Sequence, residues 1–286
     1  MLSLTFVEGE APPDASTGRE VNTWCDEHGE VCARGFVGSS SRWLDCPDLA
    51  VFAFEARSSV VRAWAAAGTS RDEVAARFTR ILQPAILQAM GWQALHASAI
   101  AGDAGAIALC GVTGSGKSTI AYALGREGFT QMADDGVVIR VTGSEVFGHP
   151  LPFVPRLRAD ALGRLGAPSA DVKSAGGFGA ARPLRAIVLL QRDARHPPAA
   201  EITRVRPAAA FSALVSHAHC FDPASPADAR RFADEYLSIV AGVPVHALNY
   251  RGGLDGLAAV VDVVRALALE HGVNPAQRPV LVPAVR

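Results

Sequence analysis

The chain has 286 residues, 49% of them hydrophobic, and a formal net charge of −1 at pH 7. That length and composition support a substantial core, in one large domain or two smaller ones. The near-neutral balance excludes the basic surface of a nucleic-acid binder or a membrane-seeking helix, so neither partner is expected.

Cys25, Cys32, Cys46, Cys110 and Cys220 are odd in number and contain no C-x-x-C pair. They read as reduced thiols of a cytoplasmic protein, without a zinc ligand set. Residues 1–5 lack the charged and apolar regions of a secretory signal. The apolar run at 257–269 is interrupted by Asp262 and Arg265, so no membrane span is expected.

Residues 1–56 read as a small β region with strands at 2–7, 31–37 and 50–56, separated by polar turns such as 9–19. Trp43 falls at a turn before a strand and reads as a core or covering aromatic. From 58 to 90 the pattern is helical. Ser70 can cap a segment in which Val74, Phe78, Ile81 and Leu82 recur at helical spacing. Pro84 kinks or restarts that helix, and Arg71 and Arg80 read as solvated.

Residues 95–100 form a short strand, and 102–105 a tight turn into the strand 106–110. With Ala101 opposite Ala106, paired numbers sum to 207, which places His96 opposite Gly111. Residues 111–118 then match the phosphate-loop pattern G-x-x-x-x-G-K-[ST]. The chain's own residue frequencies give odds of roughly one in six hundred for a chance match. Lysine makes it rare: the chain holds 25 Arg but only Lys117 and Lys173.

The chemistry requires those residue types in that order. Glycines let successive N–H groups turn inward on phosphate oxygens. Lys117 reaches the β- and γ-phosphates, the Ser118 hydroxyl binds Mg²⁺, and the helix at 118–125 adds its positive N-terminal end. The predicted nucleotide set is Gly111, Thr113, Gly114, Ser115, Gly116, Lys117, Ser118 and Thr119, with ATP and Mg²⁺ as ligands.

Asp134 and Asp135 follow 17 and 18 residues after Lys117. Adjacent carboxylates on an extended segment point to opposite sides, so one can hold Mg²⁺ and the other accept a hydroxyl proton. Asp134 is read as the metal-side acid and Asp135 as the base, with the reverse assignment left open. Asp-Asp-Gly is also good turn chemistry.

Farther on, Pro150, Pro152 and Pro155 make an extended stretch that sets Arg156 and Arg158 on one face, suited to a phosphate or a peptide carboxylate. Residues 168–183 form a Gly/Ala/Ser-rich loop carrying Lys173 and Arg182, of the kind that covers active sites. A strand at 184–190, a polar turn at 192–200, helices at 211–217 and 227–240, a strand at 243–248 and a helix at 254–271 complete the pattern. The tail 272–286 is Pro/Val-rich and reads as surface-lying. His217 and His219 precede Cys220 without a second ligand pair.

A strand histidine, phosphate-loop glycines and Ala133-Asp134-Asp135 at this short spacing together resemble the HPr kinase/phosphorylase family. The resemblance covers about residues 95–141. It implies an α/β fold, with a P-loop kinase core of the HPr kinase/phosphoenolpyruvate carboxykinase type at 91–286. A small mixed β/α region at 1–90 either stands alone or completes the kinase sheet. It also implies that His96, Lys117, Asp134 and Asp135 are the catalytic set and that Ser118 and Asp134 hold the metal.

The family's signature E-[IL]-R-G-[LI]-G is missing after the acid pair, where residues 148–158 stand instead. The layout is similar to stand-alone kinases of peptide natural-product clusters, which phosphorylate the C-terminal serine of a lasso-peptide precursor. The expected partner is therefore a peptide or small-protein acceptor, and a homo-oligomer is compatible with the reading. A phosphocarrier kinase, a small-molecule kinase and a non-catalytic nucleotide-binding module are the alternatives.

Overall fold

The computed structural model describes residues 2–26, 28–151, 180–195 and 199–275, together with Phe153, Ala161, Leu165 and Pro197. It is a mixed α/β structure with two sheets in two compact units. The first unit is Met1–Leu95 with Ala218–Leu237, and the second is His96–His217 with Ser238–Arg286.

The first unit contains β1 (Ser3–Phe6), β2 (Arg19–Cys25), β3 (Val31–Val37), β4 (Arg42–Cys46), β5 (Ala50–Phe54) and β6 (Val60–Ala65). They form a sheet in the order β1-β6-β5-β4-β3-β2, antiparallel except for the β1–β6 pair. Period-two alternation builds its two faces. Leu44, Phe52, Phe54 and Val61 pack on one side with Val74, Phe78, Leu82 and Ile86. Trp43, Phe36, Ala53 and Trp64 pack on the other. Trp43 is thus a core residue, stacked on Phe36 with ring centroids 5.4 Å apart.

Two expectations fail in this unit. The helical stretch expected from residue 58 begins only at α1 (Arg71–Arg77), because Val60–Ala65 is a strand whose Val61 and Trp64 serve opposite faces. Trp43 lies inside a strand, not at a turn. Ser70 caps α1 as expected, accepting the Glu73 N–H at 3.2 Å. A wide π turn, Phe78–Leu82, then leads into α2 (Gln83–Ala89), which carries Pro84 in its first turn. Pro84 has no N–H to donate back, and the wide turn shifts the helical phase. Ile81 is therefore 39% exposed, while Phe78 and Leu82 stay buried.

The returning segment Ala218–Leu237 is tied to the same unit through β7 (Gln93–Leu95) and β2. Ala94 O accepts from the His219 N–H at 2.9 Å and from Tyr236 Oη at 3.1 Å. Asp222 pairs with Arg19 at 2.6 Å, and Phe221 enters the core.

The second unit is built on β8 (Ala97–Gly102), β9 (Gly105–Cys110), α3 (Lys117–Arg126), β10 (Thr130–Ala133), β11 (Val137–Thr142), β12 (Glu145–His149), β13 (Arg182–Arg192), β14 (Glu201–Arg204), α4 (Pro207–Val215), the end of α5 (Pro226–Gly242) from Ser238 on, β15 (Val245–Tyr250) and α6 (Leu257–Glu270). Pairings run β10-β8-β9-β13-β15-β14. The contacts β9–β13 and β13–β15 are parallel and the rest antiparallel. The β11–β12 hairpin joins the start of β13.

Ile107, Leu109, Val188, Leu190 and Leu248 form an apolar sheet face, covered by Ile120 and Leu124 of α3 and Val260, Val264 and Leu267 of α6. This core fixes the carboxyl ends of β9, β13 and β15 side by side, the usual place for a ligand in an open α/β sheet. β14 falls on the stretch that begins after the expected polar turn and was not anticipated. The tail beyond residue 275 and most of 152–179 lie outside the described residues.

Candidate functional site

The β8–β9 hairpin has the expected register, with Ala101 opposite Ala106 and Ala97 opposite Cys110. Two short apolar strands joined by a tight turn leave little freedom to slip. Just beyond, the stretch from Gly111 to Gly116 connects β9 to α3. Gly114 and Gly116 have φ of +81° and +96°, left-handed values that strain any other residue. Thr113, Gly114, Ser115, Gly116, Lys117, Ser118 and Thr119 line one cavity together with His96 and Asp135. Gly111, expected in the nucleotide set, is not among the lining residues, and its carbonyl accepts from Lys117 Nζ at 2.8 Å.

Lys117 is only 5% exposed. Its Nζ also reaches Val112 O at 3.2 Å and His96 Nε2 at 3.1 Å. Burial lowers the Lys117 pKa, opposed by the nearby charge of Asp135. His96 Nδ1 lies 3.2 Å from Asp135 O. A consistent neutral tautomer follows: Nδ1–H donates to that carbonyl and Nε2 accepts from Lys117. Burial first, and Lys117 second, push the His96 pKa down, which favours this neutral form.

The two aspartates diverge. Asp134 is 7% exposed, and its Oδ1 accepts from Ser98 Oγ at 2.6 Å and Ser118 Oγ at 2.8 Å. Asp135 turns to the cavity. The expected extended geometry is corrected at this point, since Asp135 has φ of +60°. The Asp-Asp-Gly stretch is a bend between β10 and β11, in which Asp134 is held by Ser98 and Ser118 while Asp135 lines the cavity.

The residues fit a bound polyphosphate and a divalent cation. Two left-handed glycines free the loop's N–H groups to converge. Ser115 Oγ is buried and has no hydrogen-bond partner among the described residues. The buried Lys117 cation would gain from a nearby anion. Ser118 and Asp134 together form an oxygen pair suited to Mg²⁺.

Other candidates separate from this cluster. Arg182 starts β13 and donates to Asp103 O at 3.5 Å, at the end of the hairpin away from the cavity. Its strand position replaces the loop position expected for it. Arg156, Arg158 and Lys173 lie outside the described residues.

Ser98, Arg192, Tyr250 and Gly252 were not foreseen. Ser98 shares the alternation of His96, two residues earlier. Arg192 and Tyr250 end β13 and β15, so the rule of ligands at strand carboxyl ends points to them.

The chain matches no protein-family model and no curated protein. Among solved structures it is similar to the Hpr(Ser) kinase/phosphatase from Coxiella burnetii. The identity is 13%, the match covers 63% of this chain and 99% of that chain, and the TM-score is 0.35. The functional reading therefore stands on the residues of the cavity. Among the described residues, no helix is long and apolar enough to cross a membrane.

Proposed function

We propose that the protein is an ATP-dependent phosphotransferase with a P-loop kinase core of the HPr kinase type, acting on a hydroxyl group. The observation that carries this reading is the division of labour around Lys117. Ser118 Oγ donates to Asp134 Oδ1 at 2.8 Å, and Asp135 lines the same cavity as Lys117 and Ser118. Bound Mg²⁺-ATP would supply the transferable phosphoryl group and a cation that neutralises its charge.

Within that reading, the loop from Gly111 to Ser118 binds the phosphates and Lys117 places its charge beside them. Ser118 and Asp134 hold the cation. Asp135 accepts the proton of the attacking hydroxyl, a role worth typically ~10²–10⁴-fold in rate. His96 holds the Lys117 amine from one side and the Asp135 backbone from the other. The proposed acceptor is a serine of a peptide or small protein, in the narrowest form the C-terminal serine of a lasso-peptide precursor. That last step rests on the similarity of the chain's overall layout to the stand-alone kinases of peptide natural-product clusters.

The test is the mass of a candidate acceptor peptide after incubation with the protein and Mg²⁺-ATP. One added phosphate on serine is expected. Lys117→Ala should weaken nucleotide binding and abolish transfer. Asp135→Asn should bind nucleotide normally and lose transfer by about 10²-fold or more. Loss of nucleotide binding in Asp135→Asn would refute its role as base. Tight nucleotide binding without transfer to any hydroxyl acceptor would refute the kinase reading and favour a regulatory module.

A further inference from the structure

For the N–H groups of the stretch between β9 and α3 to point at an anion, its carbonyls have to find donors in neighbouring elements. Two consecutive ones do. Ser115 O accepts from Tyr250 Oη, and Gly114 O accepts from Arg192 Nη1 at 3.1 Å. The donors come from neighbouring parallel strands at matched positions, because Arg192 pairs with Tyr250 in the β13–β15 register. Leu189 pairs with Cys110, the last residue of β9. Both strands therefore run past the end of β9, on the same side of it.

A third residue fixes the arrangement. Gly252 has φ of +68°, and its missing side chain makes room for Arg192. A Cβ there would come within 2.8 Å of Arg192 Cγ and closer still to the atoms beyond. Tyr250 is 6% exposed, and burial pushes its hydroxyl up to about 12, so it stays a donor at any ordinary pH.

We propose that Tyr250 and Arg192 are positioning residues that hold the carbonyls of Ser115 and Gly114, and so preform the anion-binding face of the loop, with Gly252 admitting Arg192. This rests on the cavity being a nucleotide site. It adds to that reading a cause of affinity in Arg192, Tyr250 and Gly252, which line the same cavity as the loop and Asp135. Tyr250 carries the larger share, because its bond is buried and that of Arg192 is exposed.

The experiment is calorimetric binding of Mg²⁺-ADP to the full chain and to Tyr250→Phe, Arg192→Ala, Gly252→Ala and the Arg192→Ala/Gly252→Ala double variant. Hydrogen exchange of residues 111–118 in the ligand-free proteins is the second readout. Tyr250→Phe should lose about tenfold in affinity and Arg192→Ala about threefold, the range of one hydrogen bond. Loop exchange should speed up in both. Gly252→Ala should reproduce the Arg192→Ala loss and add nothing to it in the double variant.

Affinity within about twofold of the parent in Tyr250→Phe, with unchanged loop exchange, overturns the assignment. So do additive losses for Arg192→Ala and Gly252→Ala. Should Gly252→Ala not fold, Tyr250→Phe and Arg192→Ala decide alone. A parent chain that binds no Mg²⁺-ADP, with loop exchange still faster in the variants, refutes the nucleotide reading and leaves the positioning role standing.

Discussion

Ser98→Ala tests the geometry of the buried carboxylate without touching the cavity. Ser98 is fully buried, and its hydroxyl donates to Asp134 Oδ1 at 2.6 Å. The substitution removes one atom, leaves a void too small for water, and deprives a 7%-exposed carboxylate of a donor. A hydrogen bond to a charged group contributes about 1.5–3 kcal/mol. With a urea m-value of about 2 kcal/mol/M, the midpoint should fall by about 1 M. Ser118→Ala, at a less buried hydroxyl that water can replace, should cost about 1 kcal/mol. Crossing Ser98→Ala with Asp134→Asn then isolates the pair, and a coupling of about 1.5–3 kcal/mol is expected. A midpoint change under about 0.3 M, or no coupling, would refute the claim that Ser98 stabilises the Asp134 charge.

Acidification should weaken the fold. Burial, as the leading cause, lowers the pKa of His96, His149, His217 and His246. A histidine lowered on folding leaves the unfolded chain binding more protons. Its contribution is complete above the unfolded value of about 6.5 and is lost as pH falls toward the folded value. Urea midpoints at pH 7.5, 6.5 and 5.5 should decline, by up to about 1.4 kcal/mol per pH unit per histidine, and a flat profile would count against it. Two glycines of one helix region should respond oppositely to alanine. Gly116→Ala, at φ of +96°, should lose about 1–2 kcal/mol. Gly125→Ala, inside α3 with open space beside it, should gain about 0.5–1 kcal/mol in the same melts.

Local chemistry made part of this site legible in advance. The turn at 102–105 and two apolar runs of equal length set the hairpin register, which the structure pairs as far as Ala97 with Cys110. The glycine-rich stretch and the acid pair were readable because their residue types and spacing are rare. Ser98 was hidden by its ordinariness, since a serine in an apolar strand signals nothing until Asp134 is brought opposite it. Tyr250 and Arg192 meet the loop only through strand order, a non-local property that periodicity cannot supply. The same limit explains the first unit. β2, β4 and β6 mix charged residues such as Arg19, Glu20, Arg42, Asp45 and Arg62 into short runs, which masks their alternation, and Phe221 joins their core from 175 positions beyond the end of β4. Arg182 was misplaced because a Gly/Ala-rich neighbourhood masked the start of β13.

Asp135 is one of two non-glycine residues with positive φ among those described, and it faces the cavity. Left-handed backbone costs a residue with a Cβ about 1 kcal/mol, although aspartate and asparagine bear it better than most. The chain therefore keeps a small reserve of unrealised stability at the position proposed to do its proton chemistry. Asp135→Gly should release it, melting a few degrees higher while losing transfer by about 10²-fold or more. Asp135→Asn keeps the same backbone tolerance and should melt like the parent. A protein selected for durability alone would place glycine at this turn, so thermal robustness and turnover pull residue 135 in opposite directions.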